Sequence, residues 1–381
     1  MMVHQWLASR LIFVLFLSMF VGFPAAPFGI SLGPPELVPN TSPGVPVYPW
    51  FPDGHITVLD DGSQLQMYWA GSSSYRTIGS TLETMSLSPT VAVISRGAAG
   101  SFDNGGAWLM AVFRQSGDNL IGFYHAEDHE WTGYENPDNI AWKSIAVCAS
   151  GDNGVSWTKH GQIITSHTLK PAEPTWGGCG DHCVVYDAAH GRWVMFYQEH
   201  WIKIAISTDP DGRPGTWFKY KNGAFTEPGL GGEGDPVPGL ETHPGANPSV
   251  HYNEYLRTYV MVWHTWQDLS VYLSTSDDLI HWDTPRLLVA AGEGERVWYP
   301  TIIGTTDQIA GADVWLYYAY WPDRTHWQRQ FLRRPIHFSM PEVSVSTAPA
   351  QLIAPVLLVA LVVIAGGKIR AQRMRQHLWH T

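Results

Sequence analysis

Cysteine is scarce in this 381-residue chain: only Cys148, Cys179 and Cys183 occur. Three thiols exclude a dense disulfide framework, leaving one Cys179–Cys183 bridge or buried free thiols. A lone Cys-x-x-x-Cys spacing also lacks the second ligand pair of a structural zinc site. Positive charge is in short supply as well. The chain has 23 Lys and Arg against 34 Asp and Glu, a formal net charge of -11, with no basic block in its body. Phosphate binding needs clustered cations, so nucleic acid is excluded as a partner. Charged residues make up only 15% of the chain, whereas 37 Gly, 27 Pro and 19 Trp are present. That balance points to one large, turn-rich β domain.

Long apolar runs are confined to the two ends. Arg10 precedes the run from Leu11 to Val21, and Ala25 and Ala26 offer small residues for cleavage, so residues 1–26 read as a signal peptide. Residues 348–367 are apolar almost throughout and are followed by Lys368, Arg370, Arg373 and Arg375. This pattern predicts a single transmembrane helix with a basic cytoplasmic tail at 368–381, or a cleavable C-terminal sorting tail. Both readings place the main domain outside the cytoplasm and make the membrane a partner. Linkers are expected at 27–49 and 341–347, with the domain at 50–340.

Within the domain, aromatic strand candidates recur: Leu65–Trp69, Leu120–Tyr124, Trp193–Tyr197, Tyr259–Trp263 and Val314–Tyr318. Turn-rich segments and further apolar runs precede most of them, such as His55–Leu59, His182–Tyr186, Ser249–Tyr252 and Thr301–Ile303. Three units add a strand that ends in a turn and a Trp: Ile145–Trp157, Ile204 to Trp217 and Val271–Trp282. The stretch Ser150–Trp157 fits the Asp-box pattern Ser-x-Asp-x-Gly-x-Ser/Thr-Trp. In it the carboxylate caps a tight turn and the Trp packs between sheets, so Asp152, Asp209 and Asp277 are expected to form turns. Repeats of this length with about four strands each predict an all-β, five-bladed β-propeller. Because the first and last units lack the Trp box, a sixth blade or an unusual closure stays open.

Over about residues 50–340, this organisation resembles the five-bladed propeller glycoside hydrolases, the group of arabinanases, xylosidases, invertases and levansucrases, and more loosely the Asp-box sialidases. The resemblance implies two aspartates and a glutamate from the first three blades around an axial pocket, a carbohydrate substrate and no required cofactor. An axial structural ion is compatible with it. Aligning the inner-strand segments places Asp181, Asn247 and Tyr299 at one equivalent position, with Asp53 close by. The Asp-Pro dipeptide frequent there in the family is absent.

Glycosidic cleavage needs one carboxylic acid to protonate the leaving oxygen and one carboxylate to activate water or attack the sugar. The segment Gly122–His129 carries two carboxylates and two imidazoles, and Phe196–His200 carries Glu199. Glu127 or Glu199 is therefore the expected proton donor and Asp181 or Asp53 the expected base or nucleophile, with Asp128 as an alternate to Glu127. The competing readings are a solvated turn for Glu127 and Asp128, and a Lys203 pair for Glu199. His55 and His182 on inner strands, with His125, His200 and His264 at the ends of second strands, suit sugar hydroxyls, a metal, or ordinary core packing. Asn247, Tyr299, Trp266 and Arg76 complete the expected substrate contacts. Trp69, Trp176, Trp201, Trp298 and Trp321 are stacking faces or inter-blade packing. The loop at 223–246 is a candidate pocket wall. Arginines are too few in the early blades for a sialidase, which ranks a neutral-sugar hydrolase first. A non-catalytic sugar-binding propeller and a metal-dependent enzyme built on the His set are the rivals.

Overall fold

The computed structural model describes residues 28–38, 52–71, 73–82, 91–324 and 329–341. The signal-peptide, transmembrane and basic-tail assignments lie outside these residues. Residues 28–339 form one compact unit. Among the described residues there is no helix.

Five largely antiparallel sheets follow one another along the chain, each beginning at its innermost strand. Blade 1 is Thr57–Asp60, Leu65–Ala70, Ser74–Gly79 and Val91–Ile94. Blade 2 is Gly106–Ser116, Asn119–Asp128, Trp142–Ser150 and Thr158–Ile164. Blade 3 starts with Gly180–Asp187, Arg192–Glu199 and Trp201–Ser207, and blade 4 with Gly245–Asn253, Thr258–Thr265 and Val271–Ser276. Blade 5 comprises Arg296–Ile303, Asp313–Trp321 and Gln330–Ser339. Its outer edge comes from the other end of the domain, because Gly29–Leu32 and Glu36–Leu37 both pair with Gln330–Ser339. The boundary expected at residue 50 is therefore corrected: part of the assigned linker is sheet, and it covers an edge that would otherwise be open.

A sheet with two apolar faces must be covered on both, and closing five sheets into a ring does this. An apolar layer fills every junction. Tyr68 meets Leu109 and Tyr124 between blades 1 and 2, and Phe123 meets Trp193 and Trp217 between blades 2 and 3. Phe196 packs with Trp263 and Trp282 between blades 3 and 4, and Val262 with Ile302 and Leu316 between blades 4 and 5. The ring closes where Trp69 and Val58 pack on Ile303 and Tyr317. This last layer decides for five blades without a sixth.

The repeated turns behave as the residue types require. Asp152 accepts from Ser150 Oγ (2.7 Å), Ser156 N (2.9 Å) and Ser156 Oγ (2.6 Å), which holds its carboxyl down at about 2. Asp209 caps its turn through Asp211 N and pairs with Arg213. In blade 4 the expectation is corrected by one residue. Asp278 accepts from the amides of Ile280 and His281, while Asp277 accepts only from Thr258 Oγ1. All three cysteines are buried free thiols. Cys179 and Cys183 lie in different inter-blade layers, which rules out the bridge.

Blade 5 is also tied to blade 1 by Asp307, whose buried carboxylate accepts from Thr57 Oγ1 and Val58 N, both at 2.9 Å. Burial pushes this group up to about 6. A carboxyl raised in the folded state contributes stability that is full below its unfolded value and lost as pH rises through the folded one. The stability of wild type relative to Asp307→Asn is accordingly expected to fall by about 1 kcal/mol between pH 5 and pH 8. Urea titrations of both proteins at the two pH values check this; parallel behaviour would refute it.

Candidate active site

Three innermost strands share one irregularity. The register of blades 3, 4 and 5 shifts at Gly180/Cys183, Ala246/Ser249 and Trp298/Thr301. At each shift sits a residue with positive φ: Asp181 (44°), Asn247 (53°) and Tyr299 (56°). The bulge re-aims one side chain per blade, and the equivalence expected from sequence is realised as backbone geometry. Gly54 (φ 118°) lies near this level in blade 1; a Cβ there would be 2.6 Å from Met110 Cε and 3.9 Å from Asn247 Oδ1. Blades 1, 2 and 4 thus approach one another at the axis.

Around this level three carboxylates gather. On the second strand of blade 2, side chains alternate, so His125 and Glu127 share one face and Asp128 takes the other. Glu127 accepts from His125 Nε2 (3.1 Å) and His129 Nε2 (2.7 Å). The left-handed backbone of Asp181 turns its amide toward His125 Nδ1, 2.9 Å away. Because Nδ1 accepts that bond, the ring proton sits on Nε2 and points at Glu127. Lys143 stands opposite Glu127 on the next strand, with Nζ 3.4 Å from Asp181 Oδ2 and 2.8 Å from Gln198 Oε1. These donors overcome burial and hold both Glu127 and Asp181 down at about 2.

Asp53 behaves oppositely. It accepts from Arg329 Nη1 (3.2 Å) and from the Tyr299 hydroxyl (3.3 Å). About a third of its side chain (32%) is exposed, and the rest is covered by its neighbours. Burial outweighs the Arg329 cation, and the negative charge of Glu127 acts in the same direction, so the Asp53 carboxyl is raised. Aromatic walls flank it in blades 4 and 5. His264 stacks on Trp298 (4.8 Å, 17°), Trp266 meets both edge-on, and Arg329 lies over Tyr299 and Trp321.

The structure brings Asp53, Glu127, Asp181, His125, His264, Tyr299, Asn247 and Trp266 to this end of the axis. Others fall elsewhere. Asp128 accepts from Asn104 and pairs with Lys170 on the far side of its strand. Glu199 is a buried acid paired with Lys203 (2.8 Å) and accepting from Ser166 Oγ (2.5 Å), within blade 3 and apart from the other carboxylates. Arg76 donates to the Asn153 carbonyl in the turn of the neighbouring blade. His200 is exposed, and its carbonyl accepts from Trp266 Nε1. Of the remaining tryptophans, Trp69 packs in the ring-closing layer and Trp176 is 60% exposed. The expected pocket wall at 223–246 is in part a fifth strand of blade 3, Ala224–Pro228, and its remainder docks between blades 3 and 4 through Val237 and Leu240.

His55 and His182 are both buried. His55 Nε2 donates to Met110 O (2.8 Å), and burial holds the ring down at about 4. His182 is lowered by burial and by the neighbouring His55 and His125. Among the described residues, no three of His, Cys, Asp and Glu are grouped to hold a metal ion. Sequence reasoning missed Lys143, Arg296 and Arg329. Lys143 was legible only through cross-strand register with Glu127, and the arginines through the closure of blade 5.

No protein-family model matches the sequence, and no curated protein matches it. Solved structures do share the fold. A family 117 glycoside hydrolase from the marine bacterium Zobellia galactanivorans is 10% identical, over 83% of this chain and 91% of that one, with a TM-score of 0.52. An α-L-arabinofuranosidase from Lactobacillus brevis is 14% identical, over 74% and 89%, with a TM-score of 0.50. The chain has the five-bladed propeller fold found in glycoside hydrolases.

Proposed function

We propose that this protein is a glycoside hydrolase that works outside the cytoplasm, with residues 1–26 directing export and residues 348–367 holding it at the membrane. The observation that carries the reading is the divergence of three neighbouring carboxyls: Asp53 is raised by burial, while Glu127 and Asp181 are held ionised. A carboxyl of raised proton affinity beside an ionised carboxylate meets the needs of glycosidic cleavage. Asp53 then protonates the leaving oxygen, with Tyr299 and Arg329 orienting it. Glu127 is the base or nucleophile, fixed by His125 and His129. Asp181 touches the same His125 and keeps Lys143 in place. This exchanges the roles expected from sequence, where Glu127 or Glu199 donates the proton. Trp266 offers a ring face to the apolar side of a sugar.

The test is reducing-sugar release by the purified full-length chain from plant, fungal and bacterial polysaccharides, beside Asp53→Asn and Glu127→Gln. Release by wild type that both folded variants lose supports the assignment. Binding without release by any protein would instead make this a sugar-binding propeller.

A further inference from the structure

Among the described residues around the site carboxyls, Arg296 has no carboxylate paired with it, whereas Lys143 and Arg329 each have one. Lys143 faces Asp181, Arg329 faces Asp53, and Glu127 is held by two imidazoles. Arg296 begins the innermost strand of blade 5, at the same end of the axis as Asp181 and Asn247 begin or nearly begin theirs. Its guanidinium lies 4.7 Å over the Trp298 ring, and its Nε is buried with no hydrogen-bond partner. Trp298 Nε1 is likewise buried and unpartnered. Desolvation and the neighbouring Arg324 and Arg329 all work against the charge of Arg296, while His264, its electrostatic neighbour, also senses Asp181 and Lys143. In a chain of net charge -11, a stacked and partly dehydrated guanidinium beside two other arginines is stabilised when an anion arrives.

We infer that the sugar held in this recess is anionic, carrying a carboxylate or a sulfate ester that Arg296 grips from its perch on Trp298. A guanidinium fixed by stacking presents its N–H edge in a defined direction, which suits a planar carboxylate or a sulfate face better than a hydroxyl. The inference rests on the carbohydrate reading of the site and names the substrate class. It also amends the neutral-sugar preference drawn from the early-blade arginines, since the relevant cations come from the last blade.

The experiment is calorimetric binding to Glu127→Gln full-length protein, which separates recognition from cleavage. The probes are oligogalacturonides and oligoglucuronides beside the same oligomers with their carboxyls reduced, and sulfated galactan oligomers beside desulfated ones. At least one acidic probe is expected to bind about tenfold or more tighter than its neutral partner. Arg296→Met is expected to abolish that preference, and Arg296→Lys to keep the salt dependence while weakening binding. The uronate and sulfate arms identify which anion is read. Equal binding of every acidic and neutral pair, no binding of any acidic probe, or an unchanged preference in a folded Arg296→Met protein would overturn the inference. Acidic preference without cleavage by wild type would leave it standing and remove the hydrolase reading. Cleavage of neutral glycans without acidic preference would do the reverse.

Discussion

Glu127→Gln is expected to lower turnover by about 10²–10⁴-fold on whichever polysaccharide the release assay identifies, with little loss of stability. The substitution keeps the shape of the side chain and an oxygen for one imidazole, but it removes the negative charge that His125 and His129 converge on. Glu199→Gln provides the contrast. There the lost charge leaves Lys203 buried without its counterion, which typically destabilises by about 3–5 kcal/mol. The folded fraction of that variant is expected to retain wild-type turnover. Parallel kcat measurements and thermal melts separate the two. A stable, active Glu127→Gln protein beside a folded but inactive Glu199→Gln protein would transfer the catalytic role to Glu199.

The second large effect is acid unfolding. His55, His251 and His264 are fully buried, and desolvation holds them down at about 4, 3 and 3, so the folded protein keeps them neutral. Neither His251 nor His264 has a partner for either ring nitrogen. The unfolded chain protonates the same rings near their ordinary value, so below that pH the unfolded state binds more protons and folding weakens. Three imidazoles together withdraw about 6 kcal/mol between pH 7.5 and pH 5, against about 1 kcal/mol regained from Asp307. The net loss is comparable with the whole stability of an ordinary domain. Tryptophan fluorescence is therefore expected to report cooperative unfolding as pH falls toward 4 to 5, and His251→Leu to move the midpoint to lower pH. A wild-type midpoint below about pH 3, or no shift in the variant, would show that these rings are protonated without penalty.

Local chemistry made some of this legible in the sequence. The Ser150–Trp157 turn, the alternating aromatic strands and the equivalence of Asp181, Asn247 and Tyr299 are written in residue type and spacing. The pairing of His125 with Glu127 follows from strand alternation alone. Glu199 and Asp128 could not be separated from Glu127 by sequence, because a carboxylate at a strand end looks the same whether it meets a pocket or a lysine. Arg76 misled, since its partner is a backbone carbonyl of the next blade.

By itself the sequence determined the fold class and the strand carrying Glu127, because period-two alternation and turn chemistry act over a few residues. Only the tertiary structure decided that Gly29–Leu37 seals blade 5, that Lys143 reaches Asp181, and that Asp53 shares a recess with Arg329, Tyr299 and Glu127. Those contacts join residues far apart in the chain, and the proton affinity of each carboxyl depends on the cations and the burial that closure of the ring imposes on it.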